Sequence, residues 1–76
     1  MTPKQAMQQA GLSEEEIARH EARDADGTAW DRDIVIRLIE DFENPENVAS
    51  RATRAGPGVE RATKMHAARV AWLASM

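Results

Sequence analysis

Three side chains that bind metals in many proteins recur at helical spacing near the start of the chain. Glu16, His20 and Asp24 are each four residues apart, so an α-helix would carry them on one face. An imidazole nitrogen flanked by carboxylate oxygens is a ligand set that zinc accepts. The same spacing is also typical of pairs that stabilise a helix, and one helix supplies few ligands for a zinc site. We therefore expect a helix-stabilising arrangement and no metal.

The segment DADGTAWDRD resembles the core of an EF-hand calcium loop. Asp24, Asp26 and Gly27 match its third and fifth ligand positions and its turn glycine. The first ligand position falls on Ala22, and Asp33 stands where the loop has a bidentate glutamate. Because Asp and Gly also form ordinary turns, we interpret the segment as a connection between helices and expect no cofactor.

Side chains suited to covalent catalysis are scarce. The chain has no cysteine and no tyrosine, and it has no glycine-rich phosphate loop. Two of its serines, Ser13 and Ser75, lie near the ends of predicted helices. A domain this small also has little volume for a cleft that excludes water. We expect a protein that is not an enzyme.

The first quarter of the chain, PKQAMQQAGLSEEEIARH, resembles a helix-turn-helix motif. The resemblance rests on the small residue Ala6, the turn glycine Gly11 and the apolar Ile17 of the second helix. Met7 departs from the motif, which usually has alanine there. The resemblance implies a DNA-binding transcriptional regulator that uses residues 3–23.

Three consecutive glutamates begin the second helix of this motif. Glu14, Glu15 and Glu16 suit the positive end of the helix dipole. Against DNA they would be repelled, because affinity for phosphates comes largely from Lys and Arg. A plain helical hairpin is therefore the preferred interpretation, and DNA binding is the alternative.

Charge is distributed unevenly along the chain, whose net charge is -3. Residues 1–50 contain all the acidic side chains except Glu60, whereas residues 51–76 are basic. The bases of the second part are Arg51, Arg54, Arg61, Lys64 and Arg69. Either the basic part folds back on the acidic part, or one of the two surfaces meets a partner. An acidic surface at helical spacing can occupy a basic nucleic-acid groove on another protein.

Capping residues and apolar spacing predict five short helices. They cover about residues 3–10, 14–23, 31–43, 45–54 and 59–74. In the third, a strand would put Arg37 on the buried face, whereas a helix gives one apolar stripe. We expect the third and fifth helices to form the core. The predicted core residues are Leu12, Ile17, Trp30, Ile34, Val35, Leu38, Ile39, Phe42, Val48, Met65, Val70, Trp72 and Leu73.

The length and composition favour one all-α domain over residues 1–76, a compact bundle of four to five short helices. Without cysteine, no disulfide supports the fold. No apolar run approaches the roughly 20 residues that span a bilayer, and no leader pattern is present. We expect a soluble, cytoplasmic protein with no membrane partner.

These observations favour a small non-enzymatic binding protein that docks on another macromolecule through an acidic helical surface. One example is a phage-type inhibitor or adaptor that acts on a nucleic-acid-binding protein, such as a component of a defence system. The predicted partner-binding residues are Glu14, Glu15, Glu16, Glu21, Asp24, Asp26, Asp31 and Asp33. The apolar sequence VAWLA near the end of the chain predicts a second contact, with the first helix or with a second copy in a homodimer through Trp72 and Leu73.

Overall fold

A computed structural model describes residues 1–54 and 56–76 of the chain. In this part the chain forms five α-helices and no strand. They are α1 (Pro3–Gln9), α2 (Glu14–Arg23), α3 (Arg32–Glu43), α4 (Pro45–Ala52) and α5 (Pro57–Ala74). The prediction of an all-α bundle of short helices is confirmed. No helix in the described residues is long and apolar enough to cross a bilayer.

Two capping boxes fix where α1 and α2 begin. The Thr2 hydroxyl accepts a hydrogen bond from the Gln5 N–H at 3.1 Å, and the Gln5 side chain accepts one from the Thr2 N–H at 2.8 Å. Ser13 and Glu16 repeat this exchange at 3.1 and 3.0 Å. Each box satisfies two backbone groups at a helix terminus. Between the two helices, Gly11 has φ of 91°, a value that glycine adopts without strain.

The predicted bounds differ from the structure mainly around α4 and α5. The prediction carried α4 on to Arg54, whereas the helix ends at Ala52 with Thr53 as its C-cap. The prediction began α5 at Val59, but the helix starts at Pro57, whose fixed φ suits the first helical position. The helical structure is therefore interrupted before Pro57 and not after it.

The helix α5 is the central element of the fold. Helices α1 and α3 pack on α5, α4 packs on α3, and α2 packs on α1. The buried core residues are Ala6, Met7, Leu12, Ile17, Val35, Met65, Ala68 and Trp72. Ala6 on α1 and Ala68 on α5 are fully buried, and such small side chains let packed helices approach closely.

The predicted core was wrong at three positions and incomplete at three others. Ile34, Val48 and Val70 are exposed, at 37%, 49% and 43% of their maximal surface. Only part of each apolar stripe faces a neighbouring helix, so residues at its margin remain in water. Five further predicted residues, Trp30, Leu38, Ile39, Phe42 and Leu73, are half-buried. The prediction omitted Ala6, Met7 and Ala68, because their burial comes from the docking of α1 on α5.

The apolar end of α5 makes its second contact within the chain. Trp72 is only 8% exposed, and its ring meets that of Trp30 edge to face at 5.5 Å between centroids. Leu73 is half-buried. Trp72 therefore offers little free surface to a second copy, and the homodimer stays a prediction.

Candidate functional site

The predicted docking residues lie on α2 and on the segment that joins it to α3. Most are exposed: Glu14, Glu15, Glu21, Asp26, Asp31 and Asp33. Glu16 and Asp24 are half-buried. Most of the predicted acidic residues therefore lie at the surface, but they do not all lie on one face.

One edge of α2 is acidic. Glu14 and Glu21 line a pocket beside α1, together with Ala18 of α2 and Lys4 of α1. These two glutamates are two helical turns apart, so they lie one above the other along the helix. We call Glu14 and Glu21 the acidic edge of α2.

The opposite edge of α2 is basic and faces α5 across a groove of about 260 Å³. Arg19 and Arg23 of α2 line one wall of this groove, and Arg61 and Arg69 of α5 line the other. The remaining lining residues are Leu12, Glu16, His20, Gly58, Ala62 and Met65. We call this the arginine groove. It was not predicted, because the bases of α2 and of α5 are 38 to 50 residues apart in sequence.

Glu16 lies in the arginine groove and not on the acidic edge. The hydrogen bond from the Ser13 N–H lowers the pKa of Glu16, as does the Ser13 hydroxyl. The positive charges of Lys64 and Arg61 act in the same direction. The carboxylate is thus held ionised by contacts within the chain, and its role is a helix cap that faces bases of α5.

His20 accepts a hydrogen bond from an indole. Trp30 donates a hydrogen bond from Nε1 to Nε2 of His20 at 2.9 Å, and the two rings meet edge to face. An accepting Nε2 requires a neutral imidazole. Burial, followed by the charge of Arg69, lowers the pKa of His20, whereas Asp24 acts in the opposite direction. In the described residues no group of three or more His, Asp or Glu could hold a metal ion.

Several carboxylates of the segment between α2 and α3 serve its local structure. Asp24 accepts a hydrogen bond from the Ala29 N–H at 3.0 Å, which closes the loop between α2 and α3. Asp26 accepts one from the Thr28 hydroxyl at 3.2 Å. Asp31 is the N-cap of α3. These contacts are ordinary turn and cap chemistry, as the sequence indicated for this segment.

A three-layer stack joins α3, α4 and α5 on the other side of the molecule. The rings of Phe42 and His66 are stacked at 4.1 Å with an angle of 12° between their planes. The Arg51 guanidinium lies 3.6 Å from the centroid of Phe42 and also donates to the Phe42 carbonyl. Burial lowers the pKa of His66, whose Nδ1 is buried without a hydrogen-bond partner. No sequence pattern indicated this stack, because it joins three separate helices.

The arrangement as a whole presents opposite charges on the two edges of one helix. Such a surface can bind charged groups and orient them, which is the chemistry of recognition. Comparison of the chain with family models, with curated proteins and with solved structures found no match.

Proposed function

We propose that this protein is a non-enzymatic binding protein that docks on a basic macromolecular partner through the acidic edge of α2. The surface would extend over the exposed carboxylates Asp26 and Asp33. The observation that carries the proposal is the scarcity of internal counter-charge. Among the described residues the only ion pair joins Glu15 to Arg19, and both of these side chains are exposed.

Lys4 is the one base that lines the pocket of Glu14 and Glu21, so negative charge is in excess there, and its repulsion costs the folded state some free energy. A basic partner relieves that repulsion and gains from electrostatic steering, so the complex should form faster at low ionic strength. Glu14 and Glu21 carry the proposal best, because both are exposed on one edge of a regular helix.

The proposed docking surface contains fewer acids than the eight that the sequence predicted. Glu16 caps α2 and faces α5, Asp24 closes a loop, and Asp31 caps α3. We assign these three a structural role. A partner that normally holds nucleic acid would suit the remaining acids, since they can displace counterions from a basic groove as phosphates do. An inhibitor or adaptor acting on such a protein is the most concrete form of the proposal.

A DNA-binding regulator that uses residues 3–23 is the second candidate. The observation in its favour is that Arg19 and Arg23 of α2 line the same groove as Arg61 and Arg69. Against it, Glu14 and Glu15 are exposed at the N-terminus of α2, the part of a recognition helix that enters the groove of DNA.

A pull-down from the native cell, with and without nuclease, separates the two candidates. Docking on a protein predicts that a partner is retained after nuclease treatment. It also predicts loss of that partner with Glu14→Lys/Glu21→Lys and retention with the control Glu40→Lys/Asp41→Lys, which changes the charge equally on α3. Loss of all partners after nuclease, together with retardation of duplex DNA at low salt, would contradict docking on a protein and support the regulator.

A further inference from the structure

The arginine groove has an apolar floor and charged walls. Leu12 and Met65 are buried core residues and close the bottom of the groove. Ala62 of α5 also lines it. Four arginines line its walls, and the carboxylates near them are Glu16, which lines the groove, and Glu15, which pairs with Arg19 outside it. The excess of positive charge is therefore concentrated in a concave site with low-dielectric material beneath it, where electrostatic interactions are stronger than on a flat surface.

Arg69 is the side chain that most needs a counter-charge. It is half-buried in the groove, and no ion pair engages it among the residues that the structure describes. Because its half-buried guanidinium is partly removed from water, the pKa of Arg69 is lowered. A charge that has been partly removed from water gains most from a bound anion.

The groove also reaches the first turn of α5. Gly58 of this turn lines it, and α5 starts without a side-chain cap. Backbone N–H groups at the start of a helix, and the positive end of the helix dipole, favour anions. The arginines and the helix start therefore act on the same space.

We propose that the arginine groove binds a small ligand through a polyphosphate group. Arginine holds phosphate with two parallel hydrogen bonds, and guanidinium groups on facing walls suit an anion with several charged oxygens. His20, held by Trp30, is the only ring among the lining residues, so the recognised feature is the phosphate chain and not a stacked base. A long nucleic-acid backbone fits less well, since the exposed carboxylate of Glu15, which pairs with Arg19 of the groove, would repel it.

Inorganic tripolyphosphate is a suitable probe, measured by calorimetry with the full chain at low salt. The expected result is saturable one-to-one binding and a higher Tm in the presence of the probe. Arg61→Gln and Arg69→Gln should each weaken binding about tenfold, the loss expected for one charge-assisted contact. Arg37→Gln removes the same charge from an exposed position on α3 and should leave binding nearly unchanged.

Glu16→Gln gives a readout of the opposite sign. Glutamine preserves the capping box with Ser13 but removes the negative charge from the groove, so the affinity for tripolyphosphate should rise about threefold. A Glu16→Gln protein that failed to fold would lose affinity for the probe, so a gain in affinity cannot result from unfolding. The Glu14→Lys/Glu21→Lys protein should still bind the probe, which keeps this test independent of docking on a partner.

Three results would overturn the proposal. The first is no saturable heat at millimolar tripolyphosphate. The second is an equal loss of affinity with Arg61→Gln and with Arg37→Gln, which would indicate a nonspecific charge effect. The third is binding of a single-stranded oligonucleotide, dependent on Arg61, by a protein that does not bind tripolyphosphate; the groove would then be a nucleic-acid surface.

Discussion

Trp30 Nε1 donates a 2.9 Å hydrogen bond to His20 Nε2, and the same indole lies edge to face with Trp72 at 5.5 Å. This relationship joins α2 to the core of the molecule through the segment that precedes α3. It also fixes His20 at one end of the arginine groove. This uncharged contact and the packing of α2 on α1 together hold the two charged edges of α2 in place.

Replacement of Trp30 by phenylalanine should test that contact. Trp30→Phe keeps an aromatic ring against Trp72 but removes the donor to His20, so the unfolding free energy should fall by about 1 kcal/mol or more. Chemical denaturation followed by circular dichroism measures the change. Trp30→Leu, which also loses the aromatic pair, should cost more. Equal stability of Trp30→Phe and the unsubstituted protein would show that the hydrogen bond contributes nothing.

Stability should fall in mild acid because of His20 and His66. Burial holds the folded-state pKa of both histidines below the ordinary value of 6.5. Between the folded-state and unfolded-state pKa values, the unfolded chain binds more protons. The free energy of unfolding should therefore decline as the pH falls below 6.5 and level off once the folded-state pKa is passed.

Denaturation measured between about pH 7.5 and 5 checks this dependence. The double variant His20→Gln/His66→Gln keeps a hydrogen-bond acceptor for Trp30 and removes both titrating rings. Its stability should vary less over that range than that of the unsubstituted protein. A steeper or unchanged slope would rule out the two histidines as the cause.

Met7 should be a sensitive core position although it lies on a helix of only seven residues. Its side chain is 1% exposed, so Met7→Ala should cost about 2–5 kcal/mol and bring the domain close to unfolding. Met76→Ala is the matched control, because Met76 is 65% exposed and its loss should change stability by less than about 0.5 kcal/mol. Similar thermal transitions for the two variants would contradict the packing of α1 on α5.

Arg51 should stabilise the fold more than an ordinary surface arginine does. Arg51→Ala removes both the guanidinium from the Phe42 ring and the hydrogen bond to the Phe42 carbonyl, for an expected loss of about 1–2 kcal/mol. Arg37→Ala, at an exposed position of α3, should cost much less. Urea unfolding distinguishes the two, and equal midpoints would mean that the stack adds nothing to stability.

Sequence patterns predicted the helices well because local chemistry sets their ends. Ser13 and Glu16 form the capping box that the pattern indicated, and α2 has the predicted bounds. Packing was harder to predict. Met7 is buried although its helix is too short to show a clear apolar face in the sequence. Ile34 belongs to a clear apolar face of α3 but is exposed, because the neighbouring helices do not cover the whole of that face.

The exposure of most acids of α2 could be predicted from the sequence. The acids of α2 follow one another in sequence, so their presence at the surface was foreseeable. The separation of Glu16 from Glu14 and Glu21 depends on where α5 lies. The arginine groove depends on the same placement, since it combines Arg19 with Arg69 across the fold.

The central claim, that the acidic edge of α2 binds a basic partner, is tested most directly by titrating a captured partner with charge variants. Calorimetry at two salt concentrations should show that Glu14→Lys/Glu21→Lys weakens binding at least about tenfold and reduces its salt dependence. The control Glu40→Lys/Asp41→Lys should bind like the unsubstituted protein, and all three should show helical circular dichroism. Unchanged affinity of a folded Glu14→Lys/Glu21→Lys protein would contradict the claim.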